Sequence, residues 1–179
     1  NLAGDHSVLC LGESAVLGGP SVPGFTYIWT PGSYINDGNI AQPTFDAGNI
    51  DMPNPNPITY TATAAIDGCN SYDQVKVYTI EARAGVDGCG PRFIGLPDRT
   101  PLINETYSWR IIPGLSDGDN SSFLGATNLP VVPVSGNTTG ETHYELTVTY
   151  ILNGVPHVCK DTVIVPPCGC PLTINVVGG

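Results

Sequence analysis

Two short runs decide how this chain folds. They are Tyr27-Ile28-Trp29 and Tyr107-Ser108-Trp109, set 80 positions apart and holding the only two tryptophans of the 179 residues. In an extended strand residues i and i+2 share a face, so each Tyr and Trp line one side of a pleat. The same markers recur in the same order around each run. Cys10 stands 19 residues before Trp29, and Cys89 stands 20 before Trp109. Each Trp is followed by a tyrosine, Tyr60 or Tyr144, and then by a cysteine, Cys69 or Cys159. A doubled order of this kind reads as two copies of one β-sandwich module. Tyr27, Trp29, Tyr60, Tyr107, Trp109 and Tyr144 are the expected core, because aromatics at strand spacing bury large apolar area while their polar tips find hydrogen-bond partners. Stacking on sugar rings is the competing use for Tyr27, Trp29, Tyr107 and Trp109.

Composition supports the same class. Gly 22 and Pro 17 make up roughly a fifth of the chain, which favours short strands joined by turns over helices. The repeat divides the length into two modules of about 85 residues, small enough to need covalent staples. Sixteen acidic residues face six basic ones, for a formal net charge of −10. That balance argues against nucleic-acid or anionic-lipid partners, whose phosphates would be repelled. No apolar run reaches membrane-spanning length. Six cysteines in paired positions point to an oxidising, extracellular setting.

Along the chain, 1–82 form the first module. Residues 1–13 lead in, with Val8-Leu9-Cys10 a strand at an edge, and Ser14 to Leu17 form a short strand. Phe25 to Trp29 form the central one, and 32–57 read as loop, with Asn36-Asp37-Gly38-Asn39 a tight turn. Ile58 to Ala64 and Tyr72 to Ile80 make a hairpin turned at Asp67-Gly68. The second module, 83–167, repeats the plan with Thr106 to Ile111, Val131 to Val134, Thr142 to Leu152 and Val158 to Val165, the last hairpin turning at Asn153-Gly154. Asp73-Gln74-Val75-Lys76-Val77 aligns with Asp161-Thr162-Val163-Ile164-Val165. Beyond Pro166-Pro167, residues 168–179 form a tail, a linker or a donated strand, in which Leu172, Ile174 and Val176 alternate as strand residues do.

The run from Cys10-Leu11-Gly12-Glu13-Ser14 through Tyr27-Ile28-Trp29-Thr30-Pro31, Pro43-Thr44-Phe45, Thr59-Tyr60 and Gly68-Cys69 to Asp73-Gln74-Val75-Lys76-Val77 resembles the Ig-like/PKD-like modules strung along Bacteroidota cell-surface adhesins and gliding-associated proteins exported by the type IX system. Residues 8–80 carry the resemblance closely and 88–166 loosely. It implies two tandem Greek-key β-sandwiches serving as spacers, stalks or adhesive units. The chain departs from the PKD pattern where Trp29 is followed by Thr-Pro-Gly and Trp109 by Arg-Ile-Ile.

The repeat pairs Cys10 with Cys69 and Cys89 with Cys159, one bridge in each module. Each bridge would close about 60 to 70 residues and contribute on the order of 4 kcal/mol by chain entropy. Cys168 and Cys170 are left to bond each other or a neighbouring copy. His157 and Cys159 with Cys168 and Cys170 form a competing zinc set. Cofactors are otherwise expected to be none, with Asp117 and Asp119 the calcium candidates, although turn chemistry accounts for such Asx-Gly clusters. Asn104, Asn120 and Asn137 head N-glycosylation sequons, and Thr162 lies in an Asp-Thr-aliphatic O-glycosylation pattern. Three scattered histidines, His6, His143 and His157, and the lack of any nucleophile-elbow or zinc-protease motif lead to the expectation of no enzyme.

The sequence therefore predicts a structural repeat unit of an extracellular filament, stalk or adhesin. Its partners are neighbouring copies or adjacent repeats. The rival expectation is a carbohydrate-binding module using loops 30–57 and 112–141, with surface glycans as partners.

Overall fold

The computed structural model describes residues 1–46, 48, 56–85, 92–95, 101–115, 123–135 and 140–166. Among these the regular structure is entirely β. Eleven strands follow one another as β1 Ser7–Cys10, β2 Ser14–Val16, β3 Thr26–Thr30, β4 Thr44–Asp46, β5 Ile58–Ile66, β6 Cys69–Ile80, β7 Arg92–Gly95, β8 Glu105–Ile111, β9 Val131–Val134, β10 Thr142–Leu152 and β11 Val155–Val165. The chain falls into two compact units. The first holds the described residues of 1–82, 101–105 and 148–159, and the second those of 83–100, 106–147 and 160–166.

In the first unit the β5–β6 hairpin sets the frame. Its two-residue turn, Asp67-Gly68, has φ of 50° and 81°, the left-handed pair whose twist matches that of the flanking strands. β3 lies antiparallel against β5 with Tyr27 opposite Ala64 and Trp29 opposite Ala62, so small residues leave room for the two large rings. β1 joins the other edge parallel to β6, from Ser7 opposite Val77 to Cys10 opposite Ile80. The result is a four-stranded sheet in the order β1-β6-β5-β3, while β2 and β4 pair separately with Ala15 opposite Phe45. Trp29, Tyr60, Ala62, Val75 and Val77 from the large sheet meet Leu17 and Phe45 in one core, which also takes in Ala3 and Ile58. Burying each of the larger groups contributes roughly 1.5–3 kcal/mol. Phe45 meets Tyr60 edge-on at 6.1 Å. Gly18 holds the core closed at φ 77°, where an added Cβ would fall 2.8 Å from the Trp29 ring and onto the Ala41 carbonyl.

The second sequence copy uses the same strand plan. β8 and the hairpin strands form a sheet in the order β11-β10-β8, and β7 pairs with β9, Ile94 opposite Val132. Strands β7 to β11 thus correspond to β2 to β6. Phe123 meets Tyr144 edge-on at 5.3 Å, as Phe45 meets Tyr60, yet the two phenylalanines are not equivalent. Ile35 and Phe45 form a bridge, with the Asn36 N–H bonded to the Thr44 carbonyl at 3.0 Å. Phe123 and Val134 form the same bridge, with Leu124 N–H on the Pro133 carbonyl at 2.9 Å. The ring has changed sides of the bridge, and the volume beside the tyrosine is kept.

Several expectations are corrected. β4 lies in the 32–57 stretch read as loop, and β7 was not foreseen; strands of three or four residues beside prolines carry too little alternation to stand out. The returning arms begin at Cys69 and Val155 rather than at Tyr72 and Val158, because their first residues are exposed on both faces and show no apolar period. The cysteine pairing also differs. Cys10 is bonded to Cys159, with Cα atoms 5.5 Å apart, and Cys69 is free and exposed. The register explains it: Cys10 lies opposite Ile80, at the far end of β6 from Cys69. Eleven residues of strand separate the two by roughly 36 Å, far beyond the reach of a disulfide.

Candidate functional site

Three arrangements recur or converge where the chain needs to be held. The first ties each copy's leading segment to its last strand. Asp73 Oδ2 accepts the backbone N–H groups of Leu2 at 2.9 Å and Ala3 at 3.1 Å, and its Oδ1 accepts that of Gln74. These donors, that of Ala3 foremost, hold the Asp73 carboxyl below the usual carboxylate range. Asp161 repeats the device, accepting the Ala84 N–H at 2.8 Å. Ala3 and Ala84 are both buried, and Ala3 packs into the core of the first unit.

The second arrangement surrounds each tryptophan. The Trp29 N–H donates to the Gly38 carbonyl at 2.8 Å and its indole Nε1 to the Ile40 carbonyl at 3.0 Å. Trp109 repeats both, to the carbonyls of Thr127 at 2.9 Å and Leu129 at 2.9 Å. In each copy the strand and the loop beside it are locked by one residue, through its backbone N–H and its indole. The Tyr60 hydroxyl donates to the Ser33 carbonyl at 2.7 Å, and burial pushes its pKa up.

The third lies at the end of β6 in the first unit, where β1 and the tip of the β10–β11 hairpin meet. Cys10 carries the bond to Cys159, which is 2% exposed. Tyr78, opposite Val8 in β1, stacks on Tyr150 with ring centroids 5.4 Å apart and planes at 30°. Burial raises the Tyr150 pKa, with Tyr78 adding to it. The segment after β1 is fastened by Leu11 N–H to the Ile80 carbonyl at 3.0 Å and by Cys10 N–H to Glu13 Oε2 at 2.8 Å. Asn56 clamps the neighbouring Thr79 through both its N–H and its carbonyl. A covalent bond, a ring stack and backbone ties in one place make a junction that resists separation of its strands.

Of the other sequence-derived candidates, Tyr27, Trp29, Tyr60, Trp109 and Tyr144 are buried and Tyr107 is half-buried. Asn104 is exposed just before β8, at φ 75°, and Thr162 is exposed on β11. The Asn36 to Asn39 turn spends its side-chain oxygens on backbone N–H groups, Asn36 Oδ1 on Thr44 at 2.8 Å and Asp37 Oδ1 on Asn39 at 2.8 Å. Cys159, being disulfide-bonded, leaves the zinc set. Among the described residues no group of three or more His, Cys, Asp or Glu is placed to hold a metal. Cys89, Asp117, Asp119, Asn120, Asn137, Cys168, Cys170, Leu172, Ile174 and Val176 lie outside the described residues. Tyr78, Tyr150 and the buried Ala3 and Ala84 escaped the sequence reading. The Ala-Gly pairs at 3–4 and 84–85, standing before aligned aspartates, were the available signal.

No protein-family model matches the chain, and no curated protein matches it. Solved structures of tandem β domains match most of its length at low identity. An EC1-2 fragment of human protocadherin-24 is 11% identical over 88% of this chain and 91% of that one, with a TM-score of 0.33. Titin Ig tandem domains are 13% identical over 92% and 93%, at 0.34. The N-terminal eight Ig domains of Down Syndrome Cell Adhesion Molecule are 11% identical, at 0.41, and this chain spans 26% of that one. These are distant likenesses to Ig- and cadherin-type tandem domains, and they assign no family. On its own strands, the chain is an all-β protein of doubled, sandwich-like modules.

Proposed function

We propose that this chain is a repeat unit of an extracellular filament, stalk or cell-surface adhesin, and that its task is mechanical continuity rather than catalysis. One observation carries the reading: the Cys10–Cys159 bond, which links residues 149 positions apart. A load that enters upstream of Cys10 and leaves downstream of Cys159 crosses one covalent bond and bypasses the sheets between. Bonds of this kind persist in oxidising compartments, which supports a place outside the cell. The resemblance of residues 8–80 to modules of type IX-exported Bacteroidota surface proteins points the same way. Partners are then adjacent repeats or further copies.

Single-molecule stretching of the chain, held on either side of the 10–159 loop, tests the reading. The oxidised protein should release little length at its unfolding forces. After reduction the enclosed residues become extensible and should add roughly 500 Å of contour. Full extension of the oxidised chain would overturn the proposal.

A further inference from the structure

The contact between Tyr78 and Tyr150 stands apart from the ring contacts that build each copy. Phe45 on Tyr60 and Phe123 on Tyr144 meet edge-on, at 74° and 68°, and each copy has one such pair. Tyr78 and Tyr150 are stacked instead, with centroids 5.4 Å apart and planes at 30°. Neither has a counterpart. Tyr150 stands six residues after Tyr144, where the first copy has Ile66 six after Tyr60. Tyr78 stands five after Asp73, where the second copy has Pro166 five after Asp161. The pair therefore belongs to this junction and not to the strand plan.

Packing alone asks for two rings, and phenylalanine would supply them without taking a hydroxyl out of water. Both residues are phenols, and a side-chain hydrogen bond joins them. Tyr150 is 7% exposed, while Tyr78 is half-buried and still reaches solvent. A phenol gives up a hydrogen atom to a one-electron oxidant, and the radical left behind is spread over the oxygen and the ring carbons beside it. Two such rings held in contact couple far faster than two that must meet by diffusion.

We propose that Tyr78 and Tyr150 form an oxidative cross-linking site, coupled by a haem peroxidase and hydrogen peroxide into a dityrosine. Each phenol loses one proton and one electron. The two radicals join through the ring carbons ortho to oxygen, and the hydrogens on those carbons move to the oxygens to restore both phenols. The two electrons and two protons reduce hydrogen peroxide to two waters. The new carbon–carbon bond ties β6 to β10 at the junction that also holds the Cys10–Cys159 bond, and no thiol can reduce it. Its use as a second lock rests on the filament reading; the coupling itself rests on the stack.

The test treats the whole oxidised chain, at high dilution, with a haem peroxidase and limiting hydrogen peroxide, followed by peptide mapping. Tyr72, 78% exposed, is the internal control, since accessibility alone would favour it. The product should be a linked pair of peptides carrying residues 78 and 150, lighter by two hydrogens and fluorescent as dityrosine. It should be at least about tenfold in excess of any link through Tyr72. Tyr150→Phe keeps a ring to stack and should abolish the link, and oxidation in denaturant should lose the preference. Links through Tyr72 in equal yield, or none between 78 and 150, would overturn the site. Stretching separates the two proposals. After reduction the coupled chain should add roughly 250 Å less contour than the uncoupled one, the length of the residues between 78 and 150. That shortfall in a chain that never assembles keeps the site and sinks the filament reading, and assembly without the link does the reverse.

Discussion

At the level of single residues, Asp73 and Asp161 decide where each module begins. Each aspartate collects backbone N–H groups of a leading segment whose alanine is buried, and a lost acceptor leaves those donors without a partner. Asp73→Ala should therefore cost about 1–3 kcal/mol and speed amide exchange at Leu2 and Ala3 above all. The pH dependence follows from the lowered Asp73 pKa. A carboxyl depressed in the folded state contributes stability above its unfolded pKa and loses it as pH falls through the folded value. Acid denaturation of the wild type should show this loss below about pH 4, and Asp73→Ala should not. Exchange at Leu2 and Ala3 unchanged by the substitution would mean that the segment is held by packing alone.

At the level of strands, the hairpins were the most legible part of the sequence. Asp67-Gly68 and Asn153-Gly154 both adopt the paired positive φ such dipeptides favour, and the apolar alternations on either side of them became the hairpin strands. What was illegible were β4 and β7, whose three or four residues are defined by partners across the sandwich rather than by their own pattern. The outer faces also diverge, in a way that the residue pattern does not announce. In the first copy Gln74 Nε2 donates to Thr61 Oγ1 at 3.1 Å, a neutral pair. In the second, Glu145 on β10 lies between Arg110 on β8, with Nε at 2.8 Å, and Lys160 on β11, with Nζ at 3.1 Å. Hydrogen bonds from Arg110 first and Lys160 next hold the Glu145 carboxyl down to about 2. Its contribution is therefore complete above the usual glutamate range and fades as pH falls from about 4.5 toward 2. Glu145→Gln should cost about 0.5–1 kcal/mol at neutral pH and nothing near pH 2, with the difference shrinking in molar salt. A carbon-detected NMR titration of Glu145 with a midpoint near 4.5 would remove the three-strand charge ladder.

At the level of the whole molecule, the doubled order of Cys, Tyr-x-Trp, Tyr and Cys made the two copies of the strand plan readable, but not the way their cysteines join. Spacing suggested a bridge inside each copy because it counts residues along the chain, whereas the parallel pairing of β1 with β6 sets Cys10 at the end of β6 that Cys69 does not occupy. A parallel first-to-last strand contact has no local sequence signal, since its partners are some 70 residues apart. The resulting bond makes a sharp energetic prediction. Closing a loop of 149 residues removes on the order of 5 kcal/mol of chain entropy from the unfolded state. Cys10→Ser and Cys159→Ser should each lower stability by up to that amount in guanidinium denaturation, and the double variant should cost no more than either alone, because both remove one bond. Cys69→Ser should stay within about 0.5 kcal/mol of the wild type, as an exposed, unbonded side chain does. Were Cys69→Ser as damaging as Cys10→Ser, the bridge would lie within the first copy, and the load path from residue 10 to residue 159 would have no covalent support.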